Sequence, residues 1–247
     1  MSASHDPIPS TVSSGTSVLR LLTRDGPMQV YTARPKAPAR GAVIVIQEAF
    51  GVNDHIRDVT RRLAGRGHLA LAPDMFHRSG VGTLGYDRRE QAMAEIGALG
   101  PDEINTDVGA VLEHVRTAEG IDRVSVMGFC FGGRAAFTAA TAHPGLAGTV
   151  VFYGPGIAAG PHAVIDRAVS ITAPMLLHVG DRDPTIPAEQ IGTIDGALTA
   201  AGVDFEQHVY PGAGHAFACD ARPQMYSHLN AGTAWKRTYT FLDEHMS

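Results

Sequence analysis

The sequence predicts an α/β protein: a mostly parallel, doubly wound sheet flanked by helices. Three observations carry that expectation. Short apolar runs rich in β-branched residues alternate along the chain with longer segments of helical periodicity, the pattern of repeated strand-helix-strand units. The central run Ala42 to Ile46 has no polar alternation, which suits a strand buried on both faces beneath covering helices. Directly after it stand Gln47 and Glu48, a polar pair at the carboxyl end of a buried strand, where open α/β sheets bind ligands. Residues 1–15, rich in Ser, Pro and Thr, read as a flexible tail and residues 16–247 as a single domain, with no internal repeat or linker.

In chain order, Ser17 to Thr23 and Met28 to Ala33 flank Asp25-Gly26-Pro27, a turn that makes them an antiparallel edge hairpin. A proline-containing loop, Arg34 to Gly41, leads to the strand Ala42 to Ile46. His55 to Arg66 reads as a helix ending at Gly67, with Ile56, Val59 and Leu63 on one face. His68 to Ala72 is the next strand, stopped by Pro73-Asp74, and Phe76 to Gly85 is a glycine-rich loop. Asp87 to Leu99 is expected to be helical. Beyond Pro101, Asp102 to Thr117 sets Ile104, Val108, Val111, Leu112 and Val115 on one core stripe. Val124 to Met127 is a strand, the alanine-rich Arg134 to Ala142 its helix, and Gly148 to Tyr153 a further strand. Gly154 to Ala173 is irregular, with a short helical piece. Pro174 to Val179, Pro187 to Ala200 and Asp204 to Tyr210 read as strand, helix and strand, and an amphipathic helix around Met225 to Leu242 closes the chain.

Composition narrows the function. A net charge of −5 gives no basic footprint for nucleic acid or an anionic membrane, so a small-molecule substrate is the expectation. Residues 1–15 have neither the basic start nor the apolar centre of a secretory signal, and no apolar run is long enough to span a bilayer. Two cysteines, Cys130 and Cys219, make no disulfide framework, which fits a reducing, cytoplasmic setting. Twelve histidines show no metal-binding spacing such as H-E-x-x-H, so neither a metal nor another cofactor is expected. His178 and His208, inside expected strands, read as satisfied core or face residues. Nothing in the sequence decides between a monomer and a homodimer.

The chemistry centres on Gly128-Phe129-Cys130-Phe131-Gly132-Gly133. A strand meets a sharp turn and a helix there, and Cys130 is lifted above the sheet edge at a helix start whose dipole favours a thiolate. Glycines are needed because the turn is tight and the backbone at its tip is strained. A thiol so placed needs a base, and the base needs a group to orient it. His215, after the last strand, is the expected base. Asp183 is expected to orient it, favoured over Asp181 by position alone. Backbone N–H groups of Ala49 and Phe131 are the natural pair to hold an oxyanion. Glu48 beside that pair is electrostatically awkward and points to a task of its own.

The elbow and the order Cys130, Asp183, His215 resemble the α/β-hydrolase fold. More narrowly, Gln47-Glu48-Ala49-Phe50-Gly51-Val52-Asn53, Ala72-Pro73-Asp74, Arg89-Glu90-Gln91-Ala92, the elbow, Tyr153-Gly154, Asp183 with Pro187, and Gly214-His215-Ala216-Phe217 make the chain similar to the dienelactone hydrolase family over roughly Val43 to Phe217. That resemblance implies a cofactor-independent hydrolase of small esters or lactones, using a Cys-His-Asp triad and a thioester acyl-enzyme. It also implies that Glu48 holds the resting thiol of Cys130 neutral until substrate arrives. Substrate contacts would come from Arg89, Phe50, Tyr153 and Met93. The second anion-binding arginine of the family's prototype is replaced by Cys219, which halves the anion grip, although Arg222 is at hand. A different or broader ester or lactone preference is therefore expected. The competing expectations are a thioesterase or acyltransferase on the same fold, and a non-catalytic binding or redox-sensing module built on Cys130. The intact order of cysteine, aspartate and histidine argues against the last.

Overall fold

A hairpin of β1 (Thr16–Thr23) and β2 (Gly26–Ala33) opens the fold of the computed structural model, which describes residues 15–246. The tail expected over residues 1–15 lies outside the described residues except for Gly15. Then follow β3 (Ala42–Ile46), α1 (Asp54–Gly65), β4 (Leu69–Pro73), α2 (Arg89–Gly97) and α3 (Pro101–Thr117). The second half comprises β5 (Val124–Phe129), α4 (Phe131–Ala142), β6 (Gly148–Phe152), a short 3-10 helix (Ile165–Ser170), β7 (Met175–Gly180), α5 (Ala188–Ala201), β8 (Phe205–Tyr210) and α6 (His228–Met246).

The strands form one sheet in the order β1-β2-β4-β3-β5-β6-β7-β8. β1 pairs with β2, and β2 with β4, antiparallel; every pairing from β4 through β3 to β8 is parallel. The chain therefore leaves β3 in one direction, towards β4, and crosses back over β3 to reach β5. That reversal opens a crevice at the carboxyl ends of β3 and β5.

Alternation along the buried strands sorts the core into two layers. Ala42, Ile44 and Ile46 of β3, with Val124 and Val126 of β5, face the layer that includes Val108 of α3 and Phe137 of α4. Val43 and Val45, with Met127 and Phe129, face the layer that includes Ile56 of α1 and Trp235 of α6. All five residues of β3 are buried, as a strand covered on both sides requires. The outer strand β8 is half exposed along its length. No helix among the described residues is long and apolar enough to cross a membrane.

The element boundaries lie within two residues of the sequence expectation except in α4 and α6. Helix α4 starts at Phe131 rather than Arg134, taking in Gly132 and Gly133, whose low helix propensity hides the true start. Both glycines are there for close approach: a methyl on Gly132 would overlap the Ile46 carbonyl, and one on Gly133 would lie 2.6 Å from the Phe152 carbonyl oxygen. Helix α6 begins later than Met225 and runs past Leu242 to Met246, whose sulfur accepts a hydrogen bond from Ser125 of β5.

Candidate active site

Cys130 sits between β5 and α4 with φ 55° and ψ −119°, a backbone conformation that costs a non-glycine residue on the order of 1–3 kcal/mol. Its N–H donates to Phe152 O on β6, and its carbonyl accepts from Gly133 N and Arg134 N of α4. Gly128 and Gly132 face each other across the turn so closely that a methyl on Gly128 would overlap the Gly132 backbone. The thiol is partly accessible. Among the described residues two other non-glycine residues have positive φ, Tyr153 after β6 and Ala216 after His215, and both lie at this same edge.

The structure brings His215 and Asp183 together from the loops after β8 and β7. His215 Nδ1–H donates to Asp183 Oδ2 at 2.7 Å, and Thr185 donates to Asp183 Oδ1 through its backbone N at 2.8 Å and its hydroxyl at 2.6 Å. Asp181 points elsewhere and accepts from Gly212 N. Thr185 had no signal of its own in the sequence beyond following Asp183-Pro184. Burial alone would push the His215 pKa down. Its hydrogen bonds to Asp183 and to the Cys130 thiol, with the negative charge both carry when ionised, prevail and raise it to about 10. Burial would raise the Asp183 carboxyl, but the His215 and Thr185 contacts hold it below the usual range.

Ala49 and Phe131 are both buried, one after β3 and the other at the first position of α4. The pairing of Ile46 with Gly128, and the seat of Gly132 against Ile46 O, bring these two segments side by side. Glu48 is 1% exposed and takes a different partner from the one expected. Its Oε2 accepts from the Cys219 thiol at 3.8 Å, whereas the Cys130 thiol bears on His215. Glu48 Oε1 has no hydrogen-bond partner.

Around Glu48 lies a group that the sequence did not foreshadow. A ring nitrogen of His55, the Cys219 sulfur and a Glu48 carboxylate oxygen lie within 4.8 Å of one another, all on buried residues. No metal-type spacing in the sequence marks this group: Glu48 precedes His55 closely, but Cys219 is distant and joins them because α1 packs beside the loop after His215. His55 Nδ1 is 3.2 Å from Asp220 Oδ1, and Asp220 is paired in turn with Arg62. Burial, then the charge of Glu48, push the Cys219 thiol up to about 12. The Tyr86 hydroxyl lies 3.7 Å from the same sulfur, and its pKa is raised, chiefly by burial.

The expected substrate contacts separate in space. Tyr153 is fully buried, its ring 5.3 Å from that of His215 and its hydroxyl without a partner. Burial, then the charges of Glu48, Cys219 and Cys130, raise its pKa well above the usual value. Phe50 is buried against Tyr86, and the Arg222 guanidinium lies over both rings at 5.7 and 5.1 Å. Met93 is exposed and lines, with Phe131, Arg134 and Pro155, a groove of about 270 Å³. Arg89 is exposed at the start of α2 and makes no ion pair among the described residues.

Comparison with known proteins identifies the family and the fold. The model of the dienelactone hydrolase family matches residues 28–246. A Salmonella typhimurium protein provisionally named carboxymethylenebutenolidase is 39% identical over 221 residues, 85% of this chain and 80% of that one. A crystal structure from Klebsiella pneumoniae, provisionally named a dienelactone hydrolase, superposes with a TM-score of 0.86 at 32% identity and covers 94% of this chain and 99% of its own. A dienelactone hydrolase-like promiscuous phosphotriesterase from metagenomic libraries, at 22% identity and a TM-score of 0.79, shares the fold, with coverage of 94% and 99%.

Proposed function

The chain belongs to the dienelactone hydrolase family and is a hydrolase of carboxylic esters or lactones; on that premise we propose that it works through Cys130, His215 and Asp183 by way of a thioester acyl-enzyme. The observation that carries this reading is the hydrogen bond of Asp183 to His215, with Cys130 at the tip of the elbow close enough to His215 to raise its pKa. The raised pKa of His215 favours a state in which the imidazole holds the proton and the sulfur is the nucleophile.

In the first half-reaction the sulfur attacks the carbonyl carbon, and the oxyanion that forms is held by the backbone N–H groups of Phe131 and Ala49. As the acyl–oxygen bond breaks, His215 gives its proton to the leaving oxygen, which departs as an alcohol or, in a lactone, stays tethered to the acyl group. In the second half-reaction His215 takes a proton from water as that water attacks the thioester. Collapse of the second oxyanion expels the Cys130 thiolate and leaves the carboxylic acid. Asp183 keeps the imidazole oriented with Nδ1–H towards itself throughout.

Glu48 is assigned the restraint of Cys130. That is the role the resemblance implies for it, and its charge and that of Cys130 both bear on Tyr153. Phe50 and Tyr153, both buried, are assigned to the packing behind the scissile bond, and Met93 to the groove beside Phe131. Arg222, over Phe50, is better placed than the exposed Arg89 to face a substrate anion, with Arg89 left to the outer rim.

The test is a quenched reaction of wild type and Cys130→Ala with a small activated ester and an unsaturated lactone, followed by mass analysis of trapped protein. The expected result is an acyl adduct confined to Cys130 and a turnover loss on the order of 10³-fold or more in the variant. An adduct on another residue, or a variant that still turns over, would reject the mechanism. Full turnover by Glu48→Ala in the same assay would reject the restraint.

A further inference from the structure

We propose that Glu48, His55 and Cys219 form a binding site for one borderline-soft divalent cation of the Zn²⁺ class, which does not rest on the Cys130 mechanism but shares Glu48 with the restraint assigned above. The donor set is the first argument. Imidazole nitrogen, thiolate sulfur and carboxylate oxygen together suit such a cation, and three protein ligands leave a fourth position open. The spacing is the second. Tetrahedral bonds of about 2.3 Å to sulfur and 2.1 Å to oxygen put those two ligand atoms about 3.6 Å apart, and Cys219 Sγ already stands 3.8 Å from Glu48 Oε2. None of the remaining edges is longer than 4.8 Å.

The third argument is that two polar atoms of this cluster lack a partner. Glu48 Oε1 and His55 Nε2 are buried with no hydrogen bond, on residues 1% and 3% exposed. Burying such an atom without a partner is unfavourable. With Nδ1–H of His55 donated to Asp220, Nε2 is left with its lone pair unused. A carboxylate behind a histidine is the outer-shell arrangement that fixes a metal-binding ring and raises its basicity, and Asp220 is itself held by Arg62. Among the described residues Glu48 has no ion pair. The nearby cation, Arg222, lies over Phe50 and Tyr86 instead. On binding, Cys219 loses its proton to solvent as the sulfur–metal bond forms. One thiolate and one carboxylate then balance the two charges of the cation.

The same residues could be read as a second nucleophile set of Cys219, His55 and Asp220. Accessibility decides against it: Cys219 is 0% exposed, so a substrate carbonyl has no approach to its sulfur. A metal ion needs only a short path past side chains.

The experiment uses the full chain, treated with chelator and titrated with Co²⁺, because thiolate-to-cobalt charge transfer reports a sulfur ligand directly. With two cysteines in the chain, Cys130→Ser leaves Cys219 as the sole thiol. A saturable charge-transfer band at one equivalent is expected in wild type and in Cys130→Ser, displaced by Zn²⁺. It should vanish in Cys219→Ser and form at least tenfold more weakly in His55→Gln. Bound zinc after gel filtration of wild type, measured by elemental analysis, is a readout that needs no variant. No band and no bound zinc in wild type would overturn the site. So would a band that survives Cys219→Ser and disappears in Cys130→Ser, since the metal would then sit on the catalytic pair.

Discussion

His215 draws its high pKa from two neighbours, and removing one of them has a signed consequence. With Asp183 in place, the imidazole keeps its proton up to about pH 10, so the alkaline fall in activity belongs near that pH, where His215 no longer supplies a proton to the leaving oxygen. In Asp183→Asn the raising effect of the carboxylate is gone while burial, which lowers the pKa, remains. The alkaline limb should move to lower pH, and kcat/KM at neutral pH should fall on the order of 10³–10⁴-fold. A pH–rate profile whose limb does not move would show that Asp183 does not govern His215. At this scale the sequence was informative where function is tied to local motifs: Cys130 at a glycine elbow, and His215 and Asp183 directly after strands. It was silent on His55, Tyr86 and Asp220, because nothing short-range marks side chains that meet only when separate elements pack. It also left Asp181 and Asp183 separated by position alone, a choice that a single hydrogen bond of 2.7 Å makes plain.

The elbow as an element is held by absent side chains. A methyl on Gly128 or Gly132 would overlap backbone atoms of α4 or β3, and neither neighbour is a flexible side chain that can move aside. Gly132→Ala is therefore expected to destabilise the fold by roughly 2–4 kcal/mol and to cost activity beyond what the lost stability explains. Gly192→Ala in α5, where a methyl meets nothing within 4 Å, is the matched control and should be neutral or slightly stabilising. Thermal melts and kcat on the folded fraction measure both; equal melts for the two variants would remove the steric argument. The β-branched runs made every strand of the sheet legible, since both faces of the central strands are apolar. The starts of α4 and α6 were less legible, because packing against β3, β5 and β6 overrides weak local helix propensity.

For the whole molecule, burial acts on histidines far from the site as well. His68, His143 and His178 all have pKa values lowered by burial, His178 well below the ordinary value while hydrogen-bonded between Thr238 and Tyr210. Each is neutral in the folded chain and takes up a proton more readily once unfolded. The stability they contribute is full above about pH 6.5 and is lost as pH falls below it. His215 runs the other way: its contribution is full below about pH 6.5 and lost as pH rises through about 10. Three against one gives a net loss on acidification, so the melting temperature should drop between pH 7 and pH 5, before most carboxylates titrate; a flat curve over that range would refute it. The sheet order follows from chain connectivity that the sequence only implied, yet it has a consequence during synthesis. The nucleophile follows a central strand and its base arrives three strands later, beyond β8. A nascent chain on the ribosome thus displays Cys130 long before Asp183 and His215 have emerged to activate it, and the thiol stays chemically ordinary until the last strand is laid down.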